Sequence, residues 1–135
     1  MASSDETIFT KIIRGEIPCH KVYEDDRCFA FMDIFPIQPG MVLVISKTPV
    51  DNFEDLDDAD YQALWAAVKV VTHKLRKVFP DKKKIGVQVE GLDVPHVHVK
   101  LLPIDSGKEF RALQNKDLQP DHTALAALAE QLRAA

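Results

Sequence analysis

Apolar and polar positions run along this chain in two rhythms, one helical and one alternating, and each change of rhythm marks an element. Ser3-x-x-Glu6 has the form of a capping box, and Ile8, Phe9, Ile12 and Ile13 follow on one helical face up to Gly15. Lys21 to Glu24 reads as a short strand, Asp25 and Asp26 as a turn, and Cys28 to Met32 as a second strand. Pro36, Pro39 and Gly40 break the chain before a strongly apolar strand, Met41 to Ile45. Asp57, Asp58 and Asp60 suit a helix start through the helix dipole. Tyr61, Leu64, Trp65, Val68, Val71, Leu75 and Val78 then keep helical spacing as far as Pro80. Lys84 to Val89 is a fourth strand, and Asp121 is placed to cap a last helix carrying Leu125, Leu128 and Leu132. The order predicts an α+β fold: a mostly antiparallel five-stranded sheet, one long helix packed on it, and short helices at the N- and C-terminal ends.

The fifth strand carries the chemistry. Pro95 to Pro103 reads Pro-His-Val-His-Val-Lys-Leu-Leu-Pro. Residues two apart on a strand point the same way. His96, His98 and Lys100 therefore share one face, and Val97, Val99 and Leu101 pack on the other. Imidazole is a good nucleophile toward phosphorus when one ring nitrogen is free and the other is held by a hydrogen bond. His98, flanked along the strand by neighbours ~7 Å away, is the candidate nucleophile. His96 and the Lys100 ammonium stand beside it, and the ammonium suits phosphate oxygens. An isolated His-x-His on a strand is also common as plain structure. Two histidines on one face would start a zinc site, but no third ligand is evident nearby and Lys100 repels a cation. No metal and no other cofactor is expected.

Bulk properties narrow the setting. A chain of 135 residues suits one domain, residues 1–135, with 46% hydrophobic and 28% charged residues, an ordinary globular composition. The formal charge of −4 argues against a general nucleic-acid binder. Cys19 and Cys28 have no Cys-x-x-Cys spacing, which favours a reduced, cytoplasmic location. The first residues do not have the form of a signal peptide, and no window approaches the ~20 apolar residues of a membrane span. His20 falls in a turn, His73 on the polar side of the long helix and His122 in the first turn of the last one, so these three read as structural or solvated. The run Lys82 to Lys84 reads as a solvated connection, and Cys28 as a small core residue.

The segment from Pro95 to Pro103 resembles the signature of the histidine triad (HIT) family, His-φ-His-φ-His-φ-φ with φ apolar. The N-terminal half agrees: Thr-Ile-Phe-Thr-Lys-Ile-Ile-Arg-Gly-Glu-Ile-Pro from Thr7, Lys-Val-Tyr-Glu-Asp-Asp-Arg-Cys-Phe-Ala-Phe-Met-Asp-Ile from Lys21, and Pro-Gly-Met-Val-Leu-Val-Ile-Ser-Lys from Pro39. The resemblance runs from about Thr7 to Pro103 and is closest to the nucleoside phosphoramidase (HINT-like) branch. It implies a HIT-like core over about residues 7–103 with a C-terminal extension, 104–135. It also implies a homodimer whose sheets join, binding of a purine nucleotide or nucleotide conjugate, and transfer or hydrolysis through a covalent nucleotidyl-histidine. By position, His98 would be the nucleophile and His96 would orient the site. Asp33 would hold the ribose hydroxyls, and Ile8, Phe9, Ile12, Ile17, Phe31 and Ile34 would wall the base. Core packing would account for these apolar positions equally well.

The chain departs from that pattern in one neighbourhood. Lys100 stands where the family has its third histidine, which keeps a charge but loses a group that titrates near neutrality. Met41 replaces a supporting histidine, Ser46 and Pro49 replace a Pro and a His, and Leu92 and Asp93 stand where phosphoramidases contact phosphate. Asp93 would repel phosphate unless it pairs with Lys100. Thr7 and Thr10 occupy the places of a zinc-binding Cys-x-x-Cys. Three functions follow as alternatives: a nucleotidyl hydrolase or transferase acting through His98, a nucleotide-binding module with weak or no catalysis, or an interaction protein with a vestigial pocket.

Overall fold

The first helix begins at a threonine cap. The computed structural model of the protein describes residues 6–135; the box expected at Ser3 lies outside the described residues. Helix α1, Ile8–Ile13, is capped by Thr7, whose side chain accepts from the Phe9 and Thr10 amides while the Thr10 hydroxyl accepts from the Thr7 amide. This capping box satisfies amide donors that a helix start leaves unpaired.

Strands β1 (Lys21–Glu24) and β2 (Cys28–Met32) are joined by a turn in which Asp25 Oδ1 accepts from the Arg27 and Cys28 amides at 2.9 and 2.7 Å. Strand β3 is Val42–Ser46, followed by a single 3-10 turn at Phe53–Asp55. Helix α2, Asp58–Val78, starts at Asp57, whose carboxylate accepts from the Asp60 amide. Asp60 does more than favour the helix dipole. It receives Arg27 at 2.7 Å and the Thr48 hydroxyl at 2.7 Å, tying α2 to the β1–β2 turn and the segment after β3. The helix ends where Pro80 disfavours helical backbone at Phe79. The Phe79 ring then packs against Gly40, where φ is +92° and an added Cβ would lie 2.6 Å from the ring, so only glycine fits. Strands β4 (Lys84–Gln88) and β5 (His98–Ile104), the short helix α3 (Gly107–Phe110) and helix α4 (His122–Ala134) complete the chain.

The five strands form one antiparallel sheet in the order β1-β2-β3-β5-β4. Strands β2 and β3 are buried along their whole length because the sheet is covered on both faces. One face, with Cys28, Ala30, Val42, Val44, Val97, Val99 and Leu101, packs on α2 and α4 through Leu64, Ala67, Val71, Leu75, Leu125 and Leu132. The other, with Phe29, Phe31, Met41, Leu43, Ile45 and Leu102, packs on Phe9 and Ile12 of α1. A fully buried leucine such as Leu64 contributes about 1.5–3 kcal/mol.

Strand β5 starts three residues later than the pattern predicts. The Val97 amide donates to the Val50 carbonyl at 2.7 Å, outside the ladder, while the in-and-out alternation of side chains continues through His96 and Val97. Two histidines read as structural or solvated are in contact: His20 Nε2 and His122 Nδ1 are 2.9 Å apart, joining the residue before β1 to the first turn of α4. His73 is exposed. No helix is long and apolar enough to cross a membrane, among the described residues.

Candidate active site

The two histidines of the strand face the same side but have different fates. His96 is fully buried. Its Nε2 lies 2.6 Å from the Ser46 carbonyl, which only accepts, so that nitrogen carries the proton. Its Nδ1 then accepts from the Thr7 hydroxyl at 2.9 Å. Both ring nitrogens are spent, and burial pushes its pKa below the usual histidine value. His96 is a structural link between the N-terminal cap, β3 and the site. Thr7, read from the sequence only as a replacement for a zinc-binding cysteine, is the residue that holds it.

His98 is held from one side only. Its Nδ1 donates to the His96 carbonyl at 2.7 Å, which leaves Nε2 with its lone pair. Burial, the largest cause, and the nearby Lys100 charge lower its pKa, while the His96 carbonyl opposes them. The imidazole is therefore neutral at pH 7. The edge of Phe9 meets the His98 ring at a centroid distance of 5.0 Å and 85°, and the His96 ring at 5.7 Å and 66°. Helix α1 thus locks both rings by packing.

His98 lines a cavity of about 330 Å³, within the usual range for small-molecule sites. Around it stand Ile8, Phe9, Ile12, Ile17, Phe31, Asp33, Ile34 and Asp93, together with Lys100. The structure thus brings together the candidate site residues named from the sequence, except His96, which lies behind the wall. Met41 is behind it too, fully buried, with its sulfur accepting from the Ile37 amide.

Asp33 follows β2 and is almost fully buried. Its Oδ1 accepts from the Phe35 amide at 2.8 Å and its Oδ2 from the Gln114 side-chain amide at 3.0 Å. Burial raises its pKa above the ordinary carboxylate value, against the Phe35 amide and the charge of Lys100, which lower it.

Asp93 does not pair with Lys100. Lys100 Nζ meets Glu90 Oε1 at 2.8 Å, and Asp93, largely exposed at the rim, lies 3.7 Å from Lys116. Lys100 is cross-strand partner of Gln88, so a residue just beyond β4 comes within its reach, whereas Asp93 lies past the turn at Gly91. The Lys100 ammonium holds the Glu90 carboxyl below its usual pKa, and the Leu92 amide bonds the other oxygen at 2.9 Å. Glu90, Gln114 and Lys116 line the cavity and carry no sequence signal. Their placement depends on register and on the path of the chain after α3. No group of three or more His, Cys, Asp or Glu side chains is positioned for a metal, among the described residues.

The chain and its fold match known proteins. Residues 14–107 match the HIT domain family model. The chain is 36% identical over 118 residues to an uncharacterized HIT-like protein of Methanocaldococcus jannaschii, covering 82% of this chain and 92% of that one. It is 30% identical over 103 residues to an adenylylsulfatase of Arabidopsis thaliana, covering 73% of this chain and 52% of that one. A crystal structure of a HIT-like protein involved in cell-cycle regulation from Bartonella henselae superposes with TM-score 0.82 at 33% identity, covering 96% of each chain. The chain belongs to the HIT family. Proteins of this family are generally nucleotide hydrolases or transferases, and the chain shares that general character.

Proposed function

We propose that this protein is a nucleotidyl hydrolase or transferase that attacks the phosphorus of a purine nucleoside monophosphate conjugate with His98 Nε2. One observation carries the reading: His98 is a buried imidazole that lines a cavity, with Nδ1 held by the His96 carbonyl, Nε2 left with its lone pair, and a pKa lowered by burial. The nitrogen lone pair forms a bond to phosphorus, and the bond from phosphorus to the leaving group breaks with its electron pair. Water then displaces His98 from the nucleotidyl-histidine, restoring the neutral ring and releasing a nucleoside monophosphate. Lys100, fixed by Glu90, supplies positive charge to the phosphate oxygens. Asp33 accepts from the ribose hydroxyls, and Ile8, Ile17, Phe31 and Ile34 provide the apolar slot that a purine requires.

Phosphoramidates are the leaving-group class suggested by the branch the sequence resembles, and the adenylylsulfatase relative makes a sulfate conjugate a second substrate to assay. The proposal includes a homodimer built on β4, whose outer edge is unpaired and flanked by the exposed Val87 and Val89. It treats residues 1–135 as one domain, because Leu125 and Leu132 of α4 share the core of α2. A cytoplasmic location accords with the free thiols of Cys19 and Cys28.

The test is intact-protein mass spectrometry during incubation with an adenosine phosphoramidate and with adenylyl sulfate, on wild type and His98→Ala. A nucleoside monophosphate added to the wild type alone supports the mechanism. Bound nucleotide with neither adduct nor product turns the reading to a binding module, and full turnover by His98→Ala excludes His98 as nucleophile.

A further inference from the structure

Asp33 is reached from a part of the chain that lies beyond the matched domain. The segment 111–118, between α3 and α4, passes along the cavity and places Gln114 and Lys116 in its wall. Both hydrogens of the Gln114 amide are used, one to Asp33 Oδ2 at 3.0 Å and one to the Phe35 carbonyl at 2.9 Å. Gln114 therefore grips the Asp33–Phe35 turn at both ends. The approach to this segment is fixed by two further side-chain amides, Gln38 to the Glu109 carbonyl at 3.1 Å and Gln88 to the Phe110 carbonyl at 3.0 Å. Its far side meets the loop after β4 through Lys116 and Asp93 at 3.7 Å. Leu113 and Leu118, its apolar residues, are 91% and 64% exposed, so polar contacts and not burial hold the strap in place.

A carboxylate has about four acceptor sites. The Phe35 amide and Gln114 use one on each oxygen of Asp33, leaving about two, which matches the two hydroxyls of a ribose cis-diol. With the carboxylate gripped from both sides, the remaining sites keep one direction. A 2′-deoxyribose would leave one of them unpaired in an almost fully buried group, a loss typical of missing hydrogen bonds to charged acceptors.

We propose that Gln114 is a specificity-determining positioning residue, which aims Asp33 at the ribose cis-diol and makes this pocket select ribonucleotides over 2′-deoxyribonucleotides. The inference rests on the assignment of Asp33 to the ribose under the proposed function.

Calorimetric titration with adenosine monophosphate and with 2′-deoxyadenosine monophosphate tests it on the full chain. Wild type should prefer the ribonucleotide by about 10- to 100-fold. Gln114→Ala should lose most of that preference by weakening the ribonucleotide alone, with 2′-deoxyadenosine monophosphate bound within about twofold of wild type. In turnover, KM for a ribonucleotide substrate should rise with kcat held. Equal weakening of both ligands, or an unchanged ratio, would overturn the role of Gln114. A wild type without ribose preference would remove the Asp33 assignment and this inference with it, while the His98 adduct assay still judges the chemistry separately. Lys116→Ser loosens the strap while leaving the Gln114 to Asp33 hydrogen bond in place, and its lost charge acts on both nucleotides alike. It should lower the preference in the same direction, and an unchanged preference would refute the strap if Gln114→Ala fails to fold.

Discussion

The two faces of the central sheet are built from the same strands and do opposite things. On the face toward α2 and α4, Val97, Val99 and Leu101 meet a dry layer of leucine, valine and alanine that leaves nothing to react. On the other face, His96, His98 and Lys100 meet a helix only six residues long. Helix α1 is long enough to clamp two imidazoles through Phe9 and too short to cover the sheet, and the uncovered part is the cavity. A sheet packed this way separates stability from chemistry by side-chain parity. A one-residue slip of β5 would exchange them.

The separation can be broken most sharply at His98. His98→Ala should lower turnover by about 10³-fold or more while the protein stays folded, measured as kcat together with thermal unfolding. Leu64→Ala, across the sheet, should do the reverse. It should reduce unfolding free energy by about 2–5 kcal/mol in denaturant titration and leave turnover per folded molecule nearly unchanged. Thr7→Val falls between the two, since it removes both the helix cap and the donor to buried His96. We expect about 1–3 kcal/mol less stability, with kcat reduced through the displaced Phe9 and His98 rings. If its kcat is untouched, the His96 link does not reach the nucleophile.

Acid should lower stability and turnover together. His96 and His98 have depressed pKa values in the folded state, so the unfolded chain binds more protons below about pH 6.5. Their contribution to stability is fully present above that pH and is lost as pH falls through the folded values. Turnover should likewise stay level at neutral pH and decline only on the acid side, as His98 Nε2 takes a proton. Lys100→His should give the smallest and most informative change, adding a limb near neutral pH to the pH–rate profile that the wild type lacks. An unchanged profile would mean that neither the charge nor a proton at residue 100 governs the reaction.

Much of this was readable along the chain. The alternation from His96 to Leu101 assigned both faces of β5, and the strand order within the sequence with the spacing of α2 predicted the α+β class. The strand ends were less accurate, because the hydrogen bond from Val97 to Val50 is a tertiary contact with no local pattern. The role of Thr7 was hidden for a related reason: besides capping α1 it donates to His96, 89 positions away.

Local sequence determined what each residue can do and which way it points relative to its neighbours, because both follow from side-chain chemistry and the two-residue period of a strand. It therefore determined that an imidazole pair and an ammonium share one face of an otherwise apolar strand. Tertiary structure alone decided their partners. Pairing of β4 with β5 brought Glu90, and not Asp93, to Lys100, and the path of the chain after α3 brought Gln114 to Asp33, 81 positions apart. Contacts of that kind depend on register and chain path, which emerge only when the whole sheet closes over its core.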